Sequence, residues 1–448
     1  MHTTVKMDKK KNSCSFLNVA LYCILYLIVS SSLSSVVVVV TALSTTATTT
    51  TPKIIRIGTR PSPLAKIQAK AVAKALQNIL TKRSNCEVEI QIIDILTTGD
   101  QSPASSSSSS SSPSVVQAQP LAVQSVDFTG ALDRALLHNE IDIAVHSLKD
   151  IPPSTRWCHG HGHGIEIASC LKREDPLDVL VVSMVTTATS TVSNSNSESK
   201  ASNPPNYAPG EGLDLCIQNL PRNTRVGTSS VRRQAQLLSM RKDLELVNLR
   251  GNVGARLKAL EDGTVDALLL AAAGLNRLLS NDGGGAEAGA RKKNQMASNV
   301  CWRDIPSEDI LSGSCQGIVA TTCRSLDSTT LNLLREIDHH DSSIAAAAER
   351  AFLDGLDSFR PTLYEGSTEW IGRPPLAALM TKRGLDDDAI EKWDSGWTFR
   401  GLLARPDGLT VIKTLKTTHG ALSIDDARAL GKEQAEKLLL EAGPDFYR

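Results

Sequence analysis

From Ile54 onward, apolar and polar positions follow two periods. Short apolar runs at Ile54 to Gly58, Val88 to Leu96 and Ile141 to Val145 predict strands. The spacing of Leu64, Ile67, Ala71, Leu76 and Leu80 predicts a helix over 64–80, and Gly130 to Leu137 predicts another. Strands alternating with helices imply an α/β chain with a largely parallel sheet, which binds ligands at the carboxyl ends of its strands. His146-Ser147-Leu148-Lys149-Asp150 stands at such an end.

Three stretches break the pattern: Gln101 to Gln124 with its serine tract, Thr186 to Gly212, and Asn281 to Ser298. Their composition buries too little apolar area to offset chain entropy, which predicts surface loops. The first fifty residues differ again. Lys6, Lys9, Lys10 and Lys11 precede an apolar stretch from Phe16 to Leu43, and hydroxylated, acid-poor sequence continues to Thr51. This order fits a signal peptide followed by a transit peptide, an address for a plastid entered through the secretory route. A membrane anchor is the competing reading, although serines at 30–32, 34 and 35 interrupt the stretch. On the first reading the mature form has no membrane association. About 320 residues remain without the loops and the address, enough for two or three domains.

Lys plus Arg and Asp plus Glu both number 48, so no overall field attracts nucleic acid. Nine cysteines in a long chain without close, even spacings do not form a disulfide framework. The tract Cys158-His159-Gly160-His161-Gly162-His163 invites a metal reading, but no second cluster at ligand spacing accompanies it, so no metal site is expected.

The chemistry lies in arginines set among turn residues. Gly227-Thr228-Ser229-Ser230-Val231-Arg232-Arg233 is followed by Leu249-Arg250-Gly251-Asn252-Val253-Gly254-Ala255-Arg256. Guanidinium groups grip carboxylates through paired hydrogen bonds, and the glycines let backbone N–H groups approach an anion. Several arginines around one exposed carboxylate, Asp150, point to acid catalysis on a polyanion. A local alternative makes Lys149 and Asp150 a cap before Pro152-Pro153.

These segments, with Ile57-Gly58-Thr59-Arg60-Pro61-Ser62-Pro63-Leu64-Ala65, Glu174-Asp175-Pro176, Ala273-Gly274-Leu275-Asn276-Arg277 and Ala348-Glu349-Arg350-Ala351, resemble the porphobilinogen deaminase (hydroxymethylbilane synthase) family. The resemblance runs with gaps from about Ile54 to Tyr447. It implies three α/β domains, the first two like periplasmic-binding-protein lobes and the third smaller. Carried over, domain one is 53–172 with 305–322, domain two 177–304, and domain three 326–448, after a targeting segment 1–52. It also implies a monomeric transferase that joins four porphobilinogen units into a linear tetrapyrrole, working on porphobilinogen and pyrrole oligomers with a dipyrromethane cofactor. Asp150 and Lys149 become the catalytic pair. Arg60, Ser62, Ser147, Thr228, Ser230, Arg232, Arg233, Arg250, Arg256 and Gln316 become binders of substrate and cofactor carboxylates, with Arg277 a further candidate.

The chain departs from the family in three places. Phe359 stands where the family anchors its cofactor through a cysteine, and the sequence stays divergent to Ser395. Gln124 to Gly130 lacks the usual lysines. Cys315 replaces a glycine in Ser312-Gly313-Ser314-Cys315-Gln316-Gly317, which offers it as a substitute thiolate. The departures leave a second reading open, a catalytically silent paralogue that binds pyrrole carboxylates.

Overall fold

The computed structural model describes residues 53–83, 88–97, 128–153, 163–183, 215–279, 295–297, 300–358, 374–383 and 396–446. The targeting segment, the serine tract, most of the Cys-His tract and Phe359 lie outside them.

The chain begins with β1 (Lys53–Thr59), α1 (Pro63–Lys82), β2 (Val88–Asp94), α2 (Gly130–Leu137), β3 (Ile143–Ser147), β4 (Ile165–Cys170) and β5 (Asp178–Ser183). It continues with β6 (Arg225–Gly227), α3 (Val231–Met240), β7 (Glu245–Val247), α4 (Val253–Glu261), β8 (Ala267–Ala271), α5 (Ala272–Leu279), β9 (Gln295–Ala297), β10 (Val300–Ile305) and β11 (Val319–Arg324). It ends with α6 (Ser328–Arg335), α7 (His340–Ser358), β12 (Leu376–Lys382), β13 (Gly396–Ala404), β14 (Val411–His419) and α8 (Ile424–Ala442).

Three sheets organise these elements, in the orders β2-β1-β3-β11-β4, β7-β6-β8-β5-β10-β9 and β12-β13-β14. The expectation of a largely parallel sheet is corrected. β1 runs parallel to β2 and β3, but β11 is antiparallel to both β3 and β4. In the second sheet β6 runs parallel to β7 and β8, whereas β5 is antiparallel to β8 and β10. The cause is the path of the chain. It leaves the first sheet after β4, enters the second at β5 and returns to the first as β11 without an intervening crossover helix, so these strands are free to enter reversed. The third sheet is antiparallel throughout.

α1 starts where Ser62 accepts a hydrogen bond from the Ala65 N–H and Pro63 supplies a ready first-turn φ. Its buried stripe is Ala65, Gln68, Ala69, Val72 and Leu76, rotated from the apolar positions read off the sequence. Small residues bring the helix close to the sheet, and the larger Leu64, Ile67 and Leu80 sit half-buried at the flanks.

The first two units repeat one local design. Arg56 on β1 pairs through Nε and Nη2 with Asp142, just before β3. Arg225 on β6 pairs in the same way with Asp266, just before β8. Both aspartates also accept the arginine's own backbone N–H. Gly58 and Gly227 then sit at matching positions where a Cβ would strike Ile141 at 2.3 Å and Leu268 at 2.8 Å. After each motif a loop opens onto the N-terminus of a helix, α1 or α3. Of these two helix starts, that of α1 borders the space between the units, where Ser62, Leu64 and Ala65 line a cavity.

The third unit packs α7 and α8 over its sheet, with Phe352 and Phe399 fully buried and their rings 5.4 Å apart. It also touches both other units. Ala346 of α7 joins the core around Leu132 and Leu148, and Ala377, Leu379 and Leu402 pack on Ala235 of α3.

Candidate active site

A cavity of about 190 Å³ opens between the first two units. The first unit contributes Arg60, Ser62, Gln68, Phe128, Ser147, Lys149 and Asp150. Gly274 and Arg277 come from α5, and Gln316 and Gly317 from the returning segment. Asp150 is placed by simple packing: β3 is a buried apolar run, Leu148 plugs the core at 1 % exposure, and one turn of 3-10 helix carries Lys149 and Asp150 to the cavity. The third unit holds the two residues after this turn, because Arg350 donates to the carbonyls of Ile151 and Pro152 at 3.3 and 2.8 Å.

Around Asp150 several polar groups are held in place by neighbours. Gln68 Nε2 donates to Ser147 Oγ at 2.8 Å. The Arg60 guanidinium lies 4.3 Å from the centroid of the Phe128 ring, a cation–π contact. Arg277 donates to the Gly317 carbonyl at 2.8 Å, and burial lowers its pKa while Glu174 opposes the shift. Lys149 reaches into a cleft that crowds its ammonium with protein while leaving the side chain accessible to solvent. That crowding lowers its pKa, Asp150 counters it, and the Arg233 and Arg232 charges lower it further. His146, buried against Thr322 Oγ1 at 3.2 Å, is held down to about 4 by burial and by Arg60. It is therefore neutral at pH 7.

The arginines on the second unit divide. Arg232 and Arg233 lie buried behind the cavity and share one carboxylate, Asp178, at 2.8 Å each. Gln316 Nε2 donates to the same carboxylate at 2.8 Å and to the Pro176 carbonyl at 2.7 Å. Burial raises the Asp178 pKa, but the two guanidiniums more than reverse this and hold it well below the usual carboxylate range. Arg256 is half-buried and donates to the Gly251 carbonyl and to Ser229; burial and Arg233 lower its pKa to about 10. Arg250 is exposed on the loop before α4. Thr228 is buried and its hydroxyl accepts from the Ser230 N–H, which shapes the turn into α3. Thus Arg60, Ser62, Ser147, Lys149, Asp150, Arg277 and Gln316 line one cavity, and Arg232, Arg233 and Arg256 form a cationic wall, of which Lys149 feels the first two electrostatically.

The expectation for Cys315 is corrected. Its side chain is 2 % exposed, burial and Glu349 push the thiol far above its ordinary pKa, and it packs in the core with Leu148 and Ile318. No thiolate forms there. Its backbone takes φ +61°, the region a glycine would adopt more easily. Among the described residues no cysteine lines the cavity, and no group of three or more potential metal ligands occurs.

Sequence reasoning missed Asp178, Gln68 and Phe128. Asp178 left a signal, since a charged residue heads the buried run Val179 to Val182. Such a residue needs a partner inside the fold.

A family model described as "Porphobilinogen deaminase, dipyromethane cofactor binding domain" matches residues 55–332. The chain belongs to the porphobilinogen deaminase family. It is 33% identical over 396 residues to the chloroplastic porphobilinogen deaminase of Oryza sativa subsp. japonica, covering 88% of this chain and 86% of that protein. The chloroplastic deaminase of Pisum sativum is also 33% identical, over 88% of this chain and 83% of its own. The deaminase of Pelotomaculum thermopropionicum is 33% identical over 88% and 96% respectively. Among solved structures, the probable amino-acid ABC transporter extracellular-binding protein YtmK of Bacillus subtilis overlaps 69% of this chain and 97% of its own, at TM-score 0.33 and 12% identity. That likeness is too distant to bear on the site. The deaminase relatives do not favour the silent-paralogue reading.

The residues present fit a carboxylate-bearing pyrrole cofactor. Arg233 Nε, Ser312 Oγ and Ser314 Oγ are buried donors without an acceptor among the described residues, and such donors are costly unless a ligand or water meets them.

Proposed function

We propose that this chain condenses four porphobilinogen molecules into linear hydroxymethylbilane, releasing ammonia at each step. The observation that carries the reading is Asp150 beside Lys149 in a cavity lined by Arg60 and Arg277, with the buried Arg232–Arg233 pair near enough for its charge to act on Lys149. In each round the C–N bond of porphobilinogen breaks, the electron pair leaves with nitrogen, and a cation delocalised over the pyrrole remains. The free pyrrole carbon at the end of the growing chain attacks it, the C–C bond forms, and that carbon loses its proton; at release, water takes the last cation and supplies the hydroxymethyl oxygen. Asp150 lies where the positive charge develops and accepts or returns the proton. Lys149 balances its charge and contacts the growing chain. Each unit adds an acetate and a propionate, and the arginines hold these through paired hydrogen bonds. Dipyrromethane supplies the first pyrrole carbon, and Arg232, Arg233, Ser312 and Ser314 are the groups that would hold its carboxylates.

Thr228, Ser230, Arg250 and Arg256 complete our binding set on the second unit. We read the chain as a monomer of three domains, 53–172 with 305–322, 177–304 and 326–448, preceded by a targeting segment. Plant relatives named chloroplastic and the address-like composition of residues 1–52 support a plastid location. Among the described residues no helix is long and apolar enough to cross a membrane.

The test is to supply the chain from Lys53 with porphobilinogen and follow ammonia and hydroxymethylbilane together. Release of both in a one-to-four ratio of bilane to ammonia supports the reading. Binding of porphobilinogen without ammonia release opposes it.

A further inference from the structure

Two half-buried arginine–aspartate pairs show what a purely structural pairing looks like in this fold. Arg56 with Asp142 and Arg225 with Asp266 each join a strand to the turn before its neighbour, and in each the arginine makes a two-pronged contact with one carboxylate. Charge balances there: Asp142 also meets Arg324 at 3.3 Å, but Arg324 pairs in turn with Asp327 at 3.1 Å. Asp178 is built differently. Its side chain is fully buried, one oxygen accepts from Arg232 Nη2, and the other accepts from Arg233 Nη2 and Gln316 Nε2, all at 2.8 Å. One carboxylate faces two guanidiniums, so one positive charge stays uncompensated in a place where unpaired charge is costly. One donor of the pair, Arg233 Nε, also has no partner among the described residues.

We propose that Asp178 is a positioning residue for the reaction: it fixes Arg232 and Arg233 in the orientation that receives a ligand carboxylate. Because Gln316 belongs to the returning segment and also donates to the Pro176 carbonyl of the outgoing one, Asp178 locks that orientation to both links between the first two units. The residual charge gives the pair its demand for an anion, and the single shared carboxylate keeps the two guanidiniums from repelling each other apart. This inference rests on the deaminase reading for the identity of the ligand.

The experiment compares the chain from Lys53 with its Asp178→Asn, Arg233→Gln and double variants, using porphobilinogen as substrate and, by calorimetry, as ligand. Each single change should raise KM and the porphobilinogen Kd about tenfold and leave kcat within about threefold, the split that loss of binding gives. The double variant should fall far short of the product of the two losses, since residues acting through one contact do not add. Losses that multiply, or a fall in kcat at unchanged KM, overturn the proposal. If Asp178→Asn does not fold, the double variant still carries the wild-type net charge at this node. Its KM should then lie within about threefold of Arg233→Gln alone, and a rise beyond that overturns the proposal. Absence of turnover in the unchanged chain would count against the deaminase reading only, and the Kd series then decides the role of Asp178.

Discussion

His146 and Asp150 lie within one short segment, yet their environments set opposite roles. Burial and the Arg60 charge hold the His146 imidazole neutral down to about pH 4, so it carries no proton for catalysis near neutrality. The unfolded chain binds that proton near pH 6.5, the folded chain only near 4. The stability linked to His146 is therefore complete above pH 6.5 and is lost as pH falls from there towards 4. Denaturant titrations should show the native chain losing on the order of 3 kcal/mol more than His146→Gln across that window. Equal slopes for the two proteins would show that the imidazole is not desolvated as described. Asp150 lies in the cavity instead, where a carboxylate is reachable. Asp150→Asn keeps shape while removing charge, so turnover should fall by about 10²–10⁴-fold with the melting temperature unchanged. A variant of near-normal rate would move the acid–base role elsewhere. The motif words made Asp150 and the arginines visible in the sequence. Asp178 left only the signal of a charge heading a buried run; its partners were not visible, because they are two arginines more than fifty positions away that converge on it. Spacing along the chain carries no trace of that convergence.

Elements were legible where local periodicity decides them. The helix at Gly130–Leu137 and the strands beginning at Lys53 and Val88 fall where the apolar runs place them. Strand direction was not legible, since β5 and β11 owe their reversed sense to the route of the chain between sheets. Helix face was only partly so: alanines turn inward on α1 because close approach to the sheet outweighs side-chain size. The same close approach shapes the third unit. Gly431 lies within α8, and a Cβ there would stand 2.0 Å from the Ala348 carbonyl oxygen on α7. Alanine has the better helix propensity by about 1 kcal/mol. The clash is with backbone and has no flexible side chain to relieve it, so separation of the helices wins. Gly431→Ala should lower stability by about 1–3 kcal/mol, read by thermal melting. Stabilisation instead would mean that α7 and α8 have room to spare.

At the scale of the molecule, the third unit acts as a brace on the site. Glu349 of α7 is fully buried and binds Arg173 at 2.5 Å, while its oxygens also accept from the backbone of Cys315 and Met380. One carboxylate thus ties together the outgoing segment, the returning segment and the third sheet. Removing its charge strands Arg173, so Glu349→Gln should cost about 3–5 kcal/mol. A loss below about 1 kcal/mol on chemical denaturation would show that the brace carries no weight. The brace also bears on the departure at Phe359, which follows the end of α7 and lies outside the described residues. The resemblance assigns the cofactor's thioether to a cysteine at this place, and phenylalanine has no nucleophile to form one. Cys170, Cys315 and Cys323 are buried with raised pKa values, and neither Cys216 nor Cys301 lines the cavity. The described cavity therefore has groups to hold a pyrrole carboxylate and, among the described residues, no thiolate to bond the pyrrole covalently. Intact mass of the chain from Lys53 should equal the polypeptide alone. Phe359→Cys should add the mass of one dipyrromethane and raise turnover with it, since tethering the primer replaces a bimolecular encounter with an intramolecular one. An adduct on the unchanged chain, mapped by peptide mass to another cysteine, would show that the anchor has moved rather than gone.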